Sequence, residues 1–218
     1  MELDTRRVVQ NAWVSIPEPN RRLLAILAAD AVDYSRLMSI DDQGALAALE
    51  AARAVFREGV ALHHGRIVDT AGDSVLAAFG TATGAVSAAL TIQGKLLANG
   101  MASDPHDRRL RFRIGLHLGD VIELADGSIY GDGVNIAARL QGFARPDAVI
   151  VSESIRLAVN GKLDAAFGEE ATRPLKNIPE PVLTWHVFSR NIPTVAPTGS
   201  QGDSSTAPIV VELALPAR

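Results

Sequence analysis

Apolar residues along the first two-thirds of the chain change their spacing in a fixed order, and few folds satisfy it. Arg21–Asp30 is an apolar run that reads as a buried strand ending on a carboxylate. Leu46, Leu49, Ala52, Phe56 and Val60 then recur at steps of three and four. That spacing predicts a helix with one buried stripe, capped by Asp41 or Asp42, running to about His63 and closed by Gly65. Arg66–Thr70 and Ser74–Phe79 are short apolar strands around Ala71-Gly72-Asp73, the pattern of a tight hairpin. A second helix is expected from about Thr83 to Ala98, with Val86, Ala89, Leu90 and Leu97 inward, closing at Asn99-Gly100. Met101–Arg108 reads as a polar loop, and Leu110–Ile122 as a strand with a break at Gly119. Strand–helix–strand–strand–helix–strand is the order of the ferredoxin-like split βαβ unit. The expected fold is therefore α+β: a βαββαβ core whose mostly antiparallel sheet carries helices on one face.

Further on, Gly127–Gly133 is a Gly-rich loop, Val134–Phe143 a short helix, Ala148–Val151 a strand and Glu153–Val159 a helix. Two last strands flank Leu175–Pro181. Residues 1–20 form a polar arm ending in Pro17-Glu-Pro-Asn20, and residues 21–190 a single domain. From Asn191 the composition shifts to Pro, Thr, Gly and Ser, so 191–218 reads as a flexible tail, with Ile209–Leu215 a stray apolar piece. A formal charge of −4 gives no basic footprint for nucleic acid. The basic cluster Arg108–Arg113 alternates like the solvated face of a strand. The absence of cysteine excludes disulfides, thiol catalysis and Cys-ligated zinc. Leu23–Ala29 falls far short of the ~20 residues that span a bilayer, and the N-terminus has no signal-peptide core. The expectation is a cytoplasmic chain without a membrane segment.

Chemistry concentrates in three separated segments. Asp30 closes the first strand and Asp73 sits in the hairpin turn, so the two carboxylates meet if their strands are neighbours. A hard cation such as Mg²⁺ prefers oxygen ligands and needs only one or two protein carboxylates when a triphosphate supplies the rest. Asn135 and Arg139 lie four apart and share one helix face. The Arg fork suits phosphate, the Asn amide suits a ribose oxygen, and Gly131 and Gly133 let a ligand approach the backbone. Lys176, in a loop between strands, is a candidate phosphate cation. None of the five histidines has metal spacing, and His117 reads as a sheet histidine.

Taken together these segments resemble the class III nucleotidyl cyclase catalytic domain over about residues 20–190. Ile26–Leu37 and Gly65–Phe79 resemble its two metal segments, Phe112–Val121 and Ile129–Arg139 its later strand and catalytic helix, and Leu175–Ile178 its lysine loop. The resemblance implies a head-to-tail homodimer with active sites at the interface. In it Asp30, Asp73 and the Ala31 carbonyl would hold two Mg²⁺ or Mn²⁺ ions. The partner subunit would supply Asn135 to the ribose, Arg139 to the transition-state phosphate and Lys176 to the triphosphate tail. The ribose 3′-hydroxyl would attack the α-phosphate in line, releasing pyrophosphate and a 3′,5′-cyclic nucleotide, ATP being the expected substrate.

Two positions depart from the family. Where its members read the base, this chain carries Asp69 and Ser128. Asp69 with Ser128 suits guanine N1–H, N2–H and O6, which keeps a guanylate cyclase as the alternative; the same pair also accommodates adenine. Asp33 adds a carboxylate where relatives carry Gly, and it reads as solvent-facing. A polymerase palm would need basic and aromatic groups along a nucleic-acid channel, but this chain is acidic and 5% aromatic. A diguanylate cyclase would carry a Gly-Gly-Asp/Glu-Glu-Phe turn, which is absent. A catalytically silent pseudocyclase, dimerising to pass a signal, is the non-enzymatic alternative.

Overall fold

The computed structural model describes residues 20–103 and 110–190. The arm before Asn20, the tail 191–218 with Ile209–Leu215, and most of the loop before Leu110 lie outside the described residues. Strand β1 (Asn20–Val32) is followed by α1 (Tyr34–Ile40) and α2 (Asp42–Leu62), the hairpin β2 (Gly65–Asp69) and β3 (Ser74–Phe79), then α3 (Ala82–Ser103) and β4 (Arg111–Glu123). The second half adds β5 (Ile129–Tyr130), α4 (Asp132–Phe143), β6 (Val149–Ser152), α5 (Glu153–Val159), β7 (Ala165–Arg173) and β8 (Val182–Ser189).

The sheet order is β2-β3-β1-β4-β6-β8-β7, with β5 beside β4. Its first four strands are the expected split βαβ core, all antiparallel neighbours, and β4–β6 is the parallel pair. Side-chain parity divides the two faces, as the pleat requires. Ala25, Leu27, Ala29 and Ala31 of β1 point into the main core with Phe56 of α2, Ile92 of α3 and Ile155 of α5. Leu24, Ile26 and Ala28 point the other way and meet Ala137 of α4. Four helices therefore share the face that the sequence anticipated, while α4 alone packs on the opposite one. A Cβ on Gly115 of β4 would stand 2.4 Å from the Gln141 backbone nitrogen and 2.5 Å from the Ala137 carbonyl oxygen, so the bare glycine lets α4 lie directly on the sheet.

Several local expectations are corrected. The buried stripe of α2 runs through Ala45, Leu49, Ala52, Phe56 and Val60, while Leu46 is 52% exposed. The left-handed residue after α2 is His64, at φ 58°, and Gly65 already belongs to β2. Helix α3 continues past Asn99-Gly100 to Ser103. Strand β4 does not break at Gly119, because its pairing with β1 is continuous from Arg111 to Glu123. Gly119 instead leaves room for the His117 ring and the start of α4: an added Cβ would lie 2.7 Å from His117 Nε2 and 3.3 Å from the Gly133 Cα. Helix α1 was not anticipated; Tyr34 and Leu37 rest on the core, but none of its residues is buried. Among the described residues no helix is long and apolar enough to cross a membrane.

Candidate active site

Strand pairing brings the backbones that carry the two aspartates together. Asp30 lies directly opposite Ser74 in the β1–β3 ladder, and the Ala31 N–H donates to the Asp73 carbonyl at 3.3 Å. Adjacent strands thus bring two residues that are distant in sequence onto one edge of the site. Ser74 Oγ donates to Asp30 Oδ1 at 3.1 Å, and Arg113 Nη2 to Asp30 Oδ2 at 3.2 Å. Arg113, expected on a solvated strand face, thus turns toward the site from β4. The turn bearing Asp73 is clamped from α2, where Arg53 Nη2 donates to the carbonyls of Thr70 (2.9 Å) and Gly72. Asp33 is exposed in a left-handed conformation at the N-cap of α1, where its carbonyl accepts the Leu37 N–H but its side chain makes no capping bond.

No cluster of three or more His, Cys, Asp or Glu side chains forms among the described residues. Two half-buried aspartates on adjoining backbone, with the Ser74 hydroxyl on Asp30, are an all-oxygen set. That set fits a hard divalent ion whose remaining ligands come from phosphate, not a closed protein cage.

On α4, Asn135 is exposed and Arg139, one turn later, half-buried. Arg139 Nη1 is buried without a hydrogen-bond partner among the described residues, an uncommon state for a guanidinium. Lys176 is exposed in the β7–β8 loop. Its neighbours Leu175 and Ile178 pack on Leu140 and Ala144, which ties this loop to α4. Asn177 is left-handed (φ 59°) and Ile178 N–H closes the turn on the Leu175 carbonyl, so Lys176 projects from a fixed bend.

Asp69 ends β2 beside a bulge, and its Oδ1 accepts from the Thr70 N–H. It lines a cavity of about 190 Å³ with Ala71, Ser74, Val134, Ala138 and Gln141. Ser128 does not line this cavity; its hydroxyl donates to Asp126 Oδ1 at 2.6 Å. That bond, followed by the Ser128 N–H, holds the Asp126 carboxyl below its usual range. Arg66 of β2 binds the Gly127 carbonyl and Glu123, which fastens the Ser128 turn to the strand that carries Asp69. His117 is a sheet histidine: its Nδ1 meets Ser152 Oγ at 2.9 Å, and burial pushes its pKa down to about 4. A larger cavity of about 370 Å³ opens between α1, α2 and α3 on the other side of the sheet, with Asp41 its one carboxylate.

The structure thus sets two aspartates on adjoining backbone of a split βαβ sheet and carries an Asn/Arg helix and a lysine loop elsewhere on the same chain, the residue types that phosphoryl chemistry uses. The chain belongs to the adenylate and guanylate cyclase catalytic domain family, whose model matches residues 18–187. A Rhizobium meliloti protein provisionally named adenylate cyclase 3 is 41% identical over 166 residues, 76% of this chain and 28% of that protein. An adenylate cyclase of Streptomyces coelicolor is 36% identical over 156 residues, 70% of this chain and 35% of its own length. The chain thus spans about a third of these relatives or less. Among solved structures, an adenylate/guanylate cyclase/hydrolase from Silicibacter pomeroyi is 37% identical with a TM-score of 0.71, covering 77% of this chain and 97% of that one. The adenylyl cyclase CyaB from P. aeruginosa shares the fold at 19% identity, with a TM-score of 0.69 and 81% and 100% coverage.

Proposed function

We propose that this domain converts ATP to 3′,5′-cyclic AMP and pyrophosphate, acting as a head-to-tail homodimer with its active sites at the interface. The observation that carries the reading is the β1–β3 ladder, which sets Asp30 opposite Ser74 and ties the Ala31 N–H to the carbonyl of Asp73, on the same chain as the Asn135–Arg139 row. The exposed Asn135 amide orients the ribose of a nucleotide whose phosphates rest on the partner's carboxylate edge. Arg139, with a buried nitrogen unpartnered among the described residues, receives charge that grows on the α-phosphate. Lys176 holds the triphosphate tail and then the departing pyrophosphate. Mg²⁺ or Mn²⁺ bound by Asp30, Asp73 and the Ala31 carbonyl would supply charge neutralisation and acidify the ribose 3′-hydroxyl. The new bond joins the 3′-oxygen to the α-phosphorus as the bond to the β-phosphate oxygen breaks, and the hydroxyl proton passes to water.

Adenine is favoured by the names of the two curated relatives. A second reading, GTP as substrate, rests on Asp69, whose carboxylate lines the cavity and suits the adjacent N1–H and N2–H donors of guanine. The test is incubation with ATP, GTP, CTP and UTP in Mn²⁺ and in Mg²⁺, with mass spectrometry of the products beside an Asp73→Ala control. Cyclic AMP that disappears in the control is the expected result, and cyclic GMP alone would establish the second reading. A demonstrated dimer that yields no cyclic product overturns both and leaves a silent dimerising module.

A further inference from the structure

Gln141 is a polar residue where α4 faces the sheet, among positions otherwise held by Gly133, Ala137 and Leu140. Its backbone is pinned by the close approach to Gly115, which fixes where the side chain can go. Its amide Nε2 is buried without a hydrogen-bond partner among the described residues. Buried amide groups are nearly always paired, so this one needs an explanation. The side chain lines the same cavity as Asp69, with walls of Ala71, Leu76, Val134 and Ala138. At about 190 Å³ the cavity is smaller than the ~300–1,000 Å³ typical of sites for whole drug-sized ligands, and it suits one ring system. Apolar walls, the Asp69 carboxylate as acceptor and the Gln141 amide as donor, with the Ser74 hydroxyl already committed to Asp30, make a slot for a flat heterocycle bearing both a donor and an acceptor on its edge.

We propose that Gln141 reads the purine base, donating from Nε2 to a ring or exocyclic acceptor while Asp69 accepts from the base's own N–H. The inference rests on the cyclase reading and adds to it a specificity residue outside the pair Asp69 and Ser128. The amide and the carboxylate stand on different elements, α4 and the end of β2, so the slot forms only when the helix is docked on the sheet. A base lacking the matching acceptor leaves Gln141 unpaired, and a desolvated unpaired donor is a strong source of rejection.

The test compares the parent chain with Gln141→Leu, which keeps bulk and removes the amide, and with Gln141→Glu, which replaces the donor by an acceptor. Affinities for ATP, for GTP and for inorganic tripolyphosphate, which has no base, are measured in Mn²⁺, beside KM and kcat. Gln141→Leu is expected to weaken the preferred nucleotide about tenfold, through KM and not kcat, with tripolyphosphate binding unchanged. Gln141→Glu is expected to shift the ATP:GTP ratio. Unchanged nucleotide affinity in Gln141→Leu overturns the proposal, and so does an equal loss for tripolyphosphate, which would make the role structural. Base-dependent binding that falls in Gln141→Leu, from a parent that makes no cyclic product, would sink the cyclase reading and leave this one standing. A parent that binds neither nucleotide overturns both.

Discussion

At the scale of single residues, the site is governed by what surrounds each charge. Arg113 bonds Asp30 from the neighbouring strand, and both side chains are about 30% exposed. Its guanidinium competes with any cation for that carboxylate, yet it also fixes the carboxylate's direction. A charge pair near the surface interacts by about 4 kcal/mol at an effective dielectric of 20, cut by screening to about 1, and lost orientation costs less than that. Arg113→Met should therefore bind Mn²⁺ several-fold more tightly in a thermal-shift titration while kcat falls. Weaker Mn²⁺ binding would show that orientation outweighs competition. His117 gives a second prediction at this scale. Burial lowers its pKa from 6.5 to about 4, so the unfolded chain takes up a proton there before the native one does. Its contribution to stability is complete above pH 6.5 and is lost as pH falls toward about 4, on the order of 3 kcal/mol in all. Urea titrations between pH 7 and pH 4 should show a shallower decline for His117→Gln than for the parent; equal slopes would contradict the assignment.

Whole elements rest on fewer contacts than their sequence patterns suggest. The β2–β3 turn that carries Asp73 hangs on Arg53, whose guanidinium binds two of its carbonyls and also Glu50. Charged hydrogen bonds of this kind are worth about 1.5–3 kcal/mol. Arg53→Ala should lower global stability by about 2 kcal/mol, speed amide exchange across residues 70–74, and raise the Mn²⁺ concentration needed for half-maximal stabilisation. Unaltered exchange in the turn would remove Arg53 from the site. The approach of Asp30 and Asp73 was legible in the sequence because one closes an apolar run and the other sits in a hairpin turn, and strand order does the rest. The flanking arginine was not, since Arg113 and Asp30 are 83 residues apart and meet only through a register that no local pattern reveals. Gln141 left a fainter trace: a polar residue at a core-facing helical position, visible only once the inward face of α4 was known. Periodicity also misplaced the α2 stripe by one residue, because Ala45 and Leu46 both fit a spacing of three or four to Leu49. The face taken by α4 followed from the alternation of Leu24, Ile26 and Ala28, which a continuous apolar run conceals.

The proposed dimer makes of the whole molecule two half-sites. Asp30 bonds Ser74 and Arg113, both on the sheet, whereas Arg139 keeps a buried nitrogen without a partner among the described residues and Asn135 is exposed. Under the proposed head-to-tail arrangement, each complete site takes its carboxylates from one subunit and its Asn–Arg–Lys set from the other. Two inactive variants should then repair each other. Asp30→Asn removes the carboxylate half and Arg139→Ala the phosphate half, and neither should turn over alone. A mixed dimer carries one site built wholly from intact halves and one in which both are damaged. Random assortment from equal amounts makes half the dimers mixed, so recovered activity should reach about one quarter of the parent's. Because recovery needs subunit exchange, it should appear after dissociation and reassociation and depend on protein concentration. If the mixture stays as inactive as its components while mixed dimers are demonstrably present, each site is built within a single chain, and the interface arrangement proposed for this domain is wrong.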